Sequence, residues 1–183
     1  MNKRRLLGIA LCGMMVGMGG VFAYVQLDKP STRTLHTSSA VDLSDPKKRV
    51  GWADNVFVGE VISKKGTKKF LRDTPETQFN VKVIENIKGE LSGEVVVNQL
   101  GGYDGEERVL VAGDEMIKES ETYMFVVKYE DEHSFYNIAT QYGHTKIDNQ
   151  GEKDKLIKEY KTAFKNQVPF KIDSGEGPDT GDN

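Results

Sequence analysis

The sequence predicts a mainly β domain, a small antiparallel barrel of five to six strands with a C-terminal amphipathic helix. Three observations predict it. Apolar residues alternate with a period of two through most of residues 55–140, the alternating segments are short and separated by turn residues, and a single helical stripe follows them. One helix covers only one face or end of a sheet, so the strands must hide their remaining apolar surface by closing on one another. An apolar run at the start of the chain adds an N-terminal transmembrane or signal helix ahead of this domain.

The chain opens MNKRRLLGIALCGMMVGMGGVFAYVQLDKP, in which Lys3, Arg4 and Arg5 precede 22 uncharged residues, Leu6 to Leu27. As a helix this run rises roughly 33 Å, against about 30 Å for a hydrocarbon core. The three cations hold the short leading end in the cytoplasm and direct the chain beyond Leu27 outward. Residues 1–27 thus read as a signal peptide or an N-terminal membrane anchor. The small-x-small site Val21-Phe22-Ala23 favours cleavage after Ala23 and secretion, whereas the length of the run favours an anchor with the C-terminal domain outside the cell membrane. Cys12 follows Leu11 where lipoprotein processing requires a small residue, which argues against lipidation.

Cys12 is also the sole cysteine, so the exported part forms no intramolecular disulfide or thiolate metal site and must rely on its core. Removing the leading +3 from the whole-chain charge of −3 leaves −6. That balance argues against nucleic acid as a partner, because such affinity rests on neutralising phosphates.

Residues 28–44, rich in Ser and Thr and without an apolar period, read as a flexible tether. The domain spans residues 45–170. It begins with a short helix, Ser44 or Asp45 capping and Pro46 at the first helical position, where its missing N–H costs nothing. Strands come next at NVFVGEVI (55–62), TQFNVKVIENI (77–87), EVVVNQL (94–100), the weaker RVLVAG (108–113), TYMFVVKYE (122–130) and SFYNIAT (134–140). In the second, Phe79, Val81 and Val83 share one face; the last two strands are separated by DEH, a hairpin spacing. The final helix carries Leu156, Ile157, Tyr160, Ala163, Phe164 and Gln167 on one stripe, with Asn149 as cap, Glu152 three residues on, and Pro169 as stop. Its expected place is as a plug on the barrel. Residues 171–183, acidic and lacking large apolar side chains after Ile172, read as a disordered acidic tail.

WADNVFVGEVIS, TQFNVKVIENIKGELSGEVVVNQLGG and ETYMFVVKY together resemble a domain of uncharacterised function that recurs in exported bacterial proteins. The shared features are an AD-x-V-x-V-G-x-V strand, a V-x-x-x-x-K-G hairpin, a GG bend and a later strand carrying Tyr123 and Phe125. The resemblance covers residues 52 to about 140. It implies an OB-like barrel, similar to netrin modules and tissue metalloproteinase inhibitors. The animal domains are disulfide-bonded and their inhibitors use a processed amino-terminal cysteine; this chain has neither, so the resemblance implies the barrel and not that inhibitory mechanism.

The turns are set by the strands. Lys88-Gly89 supplies a permissive turn, Gly93 lets the chain re-enter the sheet, and Gly101-Gly102 permits a bend where a small barrel turns a corner. The candidate binding loop is SKKGTKKFLR, which gathers Lys64, Lys65, Lys68, Lys69 and Arg72 between the first two strands, one of the usual binding loops of an OB-like barrel. Outside a bacterium its partners are an envelope protein or an anionic wall or lipid component. The alternative is a solvated edge that discourages strand pairing.

Catalytic residues are not expected: there is no H-E-x-x-H, no G-x-S-x-G and no S-x-x-K, and His36, His133 and His144 read as solvated. No cofactor or metal site is assigned. Two acidic groupings, Asp104, Glu106 and Glu107, and Asp148, Asn149, Glu152 and Asp154, offer oxygens for calcium but match no calcium-loop spacing. The leading functional reading is an exported, membrane-tethered, noncatalytic binding module of the bacterial cell envelope. An envelope-acting enzyme with an unrecognised active site and an inhibitor of an extracellular protease are the alternatives.

Overall fold

The computed structural model of the protein describes residues 31–37, 42–70 and 73–170. The expected N-terminal helix (residues 1–27), Arg72 and the acidic tail lie outside the described residues. Among the described residues no helix is long and apolar enough to cross a membrane.

In chain order the elements are β1 (Thr32–Leu35), α1 (Pro46–Trp52), β2 (Asn55–Lys68), β3 (Glu76–Lys88), β4 (Glu94–Leu100), β5 (Gly102–Asp104), β6 (Glu107–Val111), β7 (Thr122–Glu130), β8 (Phe135–Ile138), β9 (His144–Lys146) and α2 (Gln150–Lys165). Five strands pair in the order β2-β3-β4-β8-β7, and β7 pairs back onto β2, so the ring of pairings closes; β9 adds to β7. β1, β6 and β5 form a separate three-stranded sheet.

Period-two alternation sends side chains from the ring strands to two different cores. Inside the ring, every strand contributes: Phe57 and Val61 from β2, Phe79 and Val81 from β3, Val97 from β4, Tyr123, Phe125 and Val127 from β7, and Ile138 from β8. Phe57 lies directly opposite Phe125, their rings stacked at 5.3 Å. The intervening residues Val56, Val58, Met124 and Val126 point the other way, onto Val50 of α1 and Tyr160 and Ala163 of α2. Gly59 sits where a Cβ would come within 2.5 Å of a Val81 methyl, so a larger residue there would split β2 from β3.

The helices form as their sequences dictate. Asp45 caps α1 by accepting from Lys47 N, with Pro46 just inside. Asn149 caps α2 by accepting from Glu152 N, and the Glu152 carboxylate takes the Asp148 N–H in return. Arg49 binds them together: its guanidinium donates to the Tyr160 hydroxyl at 2.6 Å and to the carbonyls of Leu43 and Ser44. Lys88, expected only as a turn residue, donates to the Val50 carbonyl at 2.7 Å and to Gln167, tying β3 to α1 and to the chain just past α2.

Four expectations need correction. The pairing is not all antiparallel: β4 runs parallel to β8 and β1 parallel to β6, because both partners arrive after long excursions and not across tight turns. Part of the expected tether is ordered, since residues 32–35 find the free edge of β6. The segment RVLVAG belongs to the small sheet and not to the ring. Helix α2 packs with α1 against the outer faces of β2 and β7 and does not plug the ring, because Met124 and Val126 leave an apolar surface there.

Candidate functional site

β2 continues through Lys64, Lys65 and Lys68, pairing Lys64 with Phe79 and Lys68 with Glu76. These lysines are therefore strand residues and not the loop that their composition suggested; pairing with β3 overrides the weak strand propensity of Lys and Gly. Their surroundings differ. Lys65 and Lys68 are exposed, and Lys69 just past the strand forms ion pairs with Asp73 at 3.0 Å and Asp104 at 3.1 Å, which raise its pKa. Lys64 lines a cavity.

That cavity, of 290 Å³, lies where the ring meets the small sheet. Lys64 of β2, Arg108 of β6 and Lys118 of the β6–β7 connection surround it, with Tyr103 of β5 and with Phe79, Met116 and Ile117 as apolar wall. Tyr103 is 49% exposed, and the Lys64 ammonium stands 5.6 Å over its ring. Among the described residues, none of the three cations is held in an ion pair. Glu119 also lines the cavity, accepting the Lys64 backbone N–H. Gly101 and Gly102 make the geometry possible. With φ of 108° and 137°, they turn the chain out of β4 into β5, and a Cβ on Gly102 would meet the Thr77 hydroxyl at 2.3 Å. Gly89 and Gly93, at φ 83° and 70°, flank the β3–β4 connection far from this cavity in sequence.

A second cavity, of 210 Å³, shares Met116 and Lys118 with the first. It is lined by Asp114, His144, Tyr123 and Gln141 as well. The side chains of Asp114 and His144 are 4% and 8% exposed and face each other, Oδ1 to Nδ1, at 3.6 Å. Burial drives the Asp114 carboxyl above its ordinary range, against the opposing pull of His144 and of its hydrogen bonds to Gln99 and Gln141. Burial lowers the His144 pKa, although the carboxylate beside it pulls the other way.

The wall between the cavities is the connection 112–121, held down by buried side chains. Gln99 donates to the Glu115 carbonyl at 2.8 Å and accepts from Ile117 N at 2.9 Å. Lys118 N donates to the Tyr123 hydroxyl at 3.1 Å. Sequence reasoning passed over Gln99, yet a signal existed: it shares the inward parity of Val95 and Val97, and a polar group on a buried face needs a partner. His144 carried no such signal. It is not solvated as expected, because β9 places it against the Tyr123 ring at 5.6 Å.

The other expected groups have local explanations. Glu107 pairs with Arg33 at 2.9 Å, Asp148 with Lys146 at 2.8 Å, and Asp154 accepts from Gln150. His133, also read as solvated, packs against Phe70 and Phe135, and its ring nitrogen together with Glu130 and Glu132 offers donor atoms within 4.8 Å of one another, a set able to hold a divalent cation. His36 is exposed. Compared with known proteins, the chain matches no family model and no curated protein.

Proposed function

We propose that the protein is an exported, membrane-tethered, noncatalytic binding module of the cell envelope, with an OB-like barrel that holds an anionic envelope component in the 290 Å³ cavity. The observation that carries the reading is the set of three cations, Lys64, Arg108 and Lys118, turned on one cavity beside an exposed tyrosine and not engaged in ion pairs among the described residues. The closed five-strand ring, with its cavity at the far end of β2 and beside the chain entering β7, supports the OB-like part, since loops at such ends are where these barrels bind oligosaccharides and other polymers. Export and tethering rest on Lys3, Arg4, Arg5 and the uncharged run adjoining them.

A second reading, an envelope-acting enzyme, is favoured by the buried Asp114–His144 pair, because displaced pKa values gather at catalytic sites. It ranks second because no Ser, Thr or Cys lines that cavity as a nucleophile.

Binding of the full chain to isolated cell walls and to anionic vesicles across a salt series tests the proposal. Replacing Lys64, Arg108 and Lys118 by Ser removes about 1 kcal/mol of attraction per cation, on the order of a hundredfold in all. A Lys65→Ser, Lys68→Ser variant keeps its binding if the cavity and not the strand surface is the site. Equal binding by the triple variant, or no binding by the wild type at low salt, overturns the proposal.

A further inference from the structure

The length of chain leading into the domain limits where the cavity of Lys64, Arg108 and Lys118 can lie. The uncharged run ends at Leu27, and the first described residue, Ser31, comes four residues later. Four residues span at most about 14 Å when fully extended. Ser31 is fastened to the cavity wall: its carbonyl accepts the Arg108 N–H at 2.7 Å, and β1 then runs parallel to β6 with Thr32 opposite Arg108. With an uncleaved anchor whose apolar end is Leu27, the headgroup layer takes up about 6 Å of the available length. Ser31 and the Arg108 backbone then stay within about 8 Å of the headgroups, one Debye length at physiological salt.

The same row of the small sheet carries the cavity. Thr32 pairs with Arg108 and Arg108 with Tyr103, and residues opposite one another across strands present their side chains on one face. Arg108 and Tyr103 line the cavity together with Lys64 and Lys118, and all four are exposed. The Tyr103 ring, apolar in body and polar at its tip, suits the boundary between lipid and water. Of the nearby carboxylates, Asp104 pairs with Lys69 at 3.1 Å and Glu107 with Arg33 at 2.9 Å, while Glu119 shares the cavity wall. Three cations against Glu119 leave that wall positive.

We propose that the cavity takes the phosphate of an anionic lipid headgroup in the bilayer that holds the chain's own anchor, so that the domain lies against the membrane it comes from. This rests on the anion-binding reading and on an uncleaved anchor, and it selects lipid over wall polymer as the source of the anion. Arg108 offers a planar fork of donors and the two lysines offer point charges, a combination that fits a phosphate. Attachment to the same bilayer makes the encounter intramolecular, so a weak intrinsic affinity suffices.

The test places the full chain in lipid nanodiscs that carry a paramagnetic headgroup lipid and reads amide NMR signals. Discs of phosphatidylcholine are compared with discs in which part of it is replaced by phosphatidylglycerol. With phosphatidylglycerol the amides of residues 102–108 broaden further, those of residues 156–164 in α2 do not, and the added broadening vanishes at about 1 M salt, where the Debye length is about 3 Å. Lys64→Ser, Arg108→Ser and Lys118→Ser together, all at exposed positions, lower the ratio of docked to undocked domain about hundredfold and remove the added broadening. Lys65→Ser with Lys68→Ser retains it. Equal broadening in the two discs, or a triple variant that behaves as wild type, overturns the lipid assignment. A mature chain that begins after Ala23 overturns it as well. In either event, wild type that sediments with isolated cell walls where the triple variant does not leaves the anion-binding reading standing; if neither lipid nor wall responds, both readings fall.

Discussion

The helix-facing side of the β2–β7 pair and the end where the ring meets the small sheet are built to opposite specifications. On the side facing α1 and α2, Val56, Val58, Met124 and Val126 meet Val50, Tyr160 and Ala163, all of them nearly or fully buried. The polar contacts there, Arg49 to Tyr160 and Lys88 to Val50, fasten helix to sheet. At the end where the ring meets the small sheet, the connection 112–121 is held by Gln99, Asp114, His144 and Tyr123, and two cavities remain between it and the strands. Apolar packing is non-directional and fills space, whereas hydrogen-bonded polar groups fix a few atoms and leave room between them. Apolar packing is thus concentrated under the helices and inside the ring, and polar groups around open space at the other end, so the two should respond separately to mutation.

The largest expected effect lies in the packed core. Phe125→Ala removes a fully buried ring stacked on Phe57 and should cost about 3–5 kcal/mol, read from denaturant unfolding. A loss below about 1 kcal/mol would mean that the ring interior is loosely packed and the comparison is wrong. Next comes Gln99→Ala, which strands the Ile117 N–H and the Glu115 carbonyl. A loss of about 2 kcal/mol is expected, with a marked rise in hydrogen exchange across residues 112–121 and little change at Tyr160. Uniform exchange through the whole chain would break the distinction between the two regions.

The third effect is pH dependence, and its sign is set by His144. A histidine whose folded pKa is lowered binds fewer protons folded than unfolded, so stability falls as pH drops through about 6.5 toward the folded value. Asp114 acts in the opposite sense: its raised folded pKa restores stability on further acidification, as pH falls from that value toward 3.8. The melting temperature should therefore decline from pH 7.5 to pH 6, and His144→Gln should flatten that decline. An unchanged profile in the variant would separate the pair from the acid response. The smallest effect belongs to the exposed strand lysines: Lys65→Ser with Lys68→Ser should shift stability by less than about 0.5 kcal/mol in calorimetry.

Whatever depends on neighbours along the chain was legible in the sequence. Alternation in residues 77–87 and 122–130 located β3 and β7, Asn149 and Glu152 located the start of α2, and the stripe Leu156, Ile157, Tyr160, Ala163 and Phe164 located the face it buries. Each of these is a short-range periodicity or cap that a local stretch specifies alone. The strand at residues 32–35 is illegible for the complementary reason: four exposed or half-exposed residues carry no apolar period, and only the edge of β6 makes them a strand. The lysines of β2 read as a loop in sequence because their pairing partner, Glu76 to Asn80, lies across a turn. The candidate site was not legible in this way. Lys64, Tyr103, Arg108 and Lys118, like Gln99, Asp114 and His144, come from separate elements that meet where the ring, the small sheet and the connection 112–121 come together. Burial of His144 beside Asp114 is a property of that meeting, since desolvation depends on what surrounds a side chain in space and not on what adjoins it in the chain.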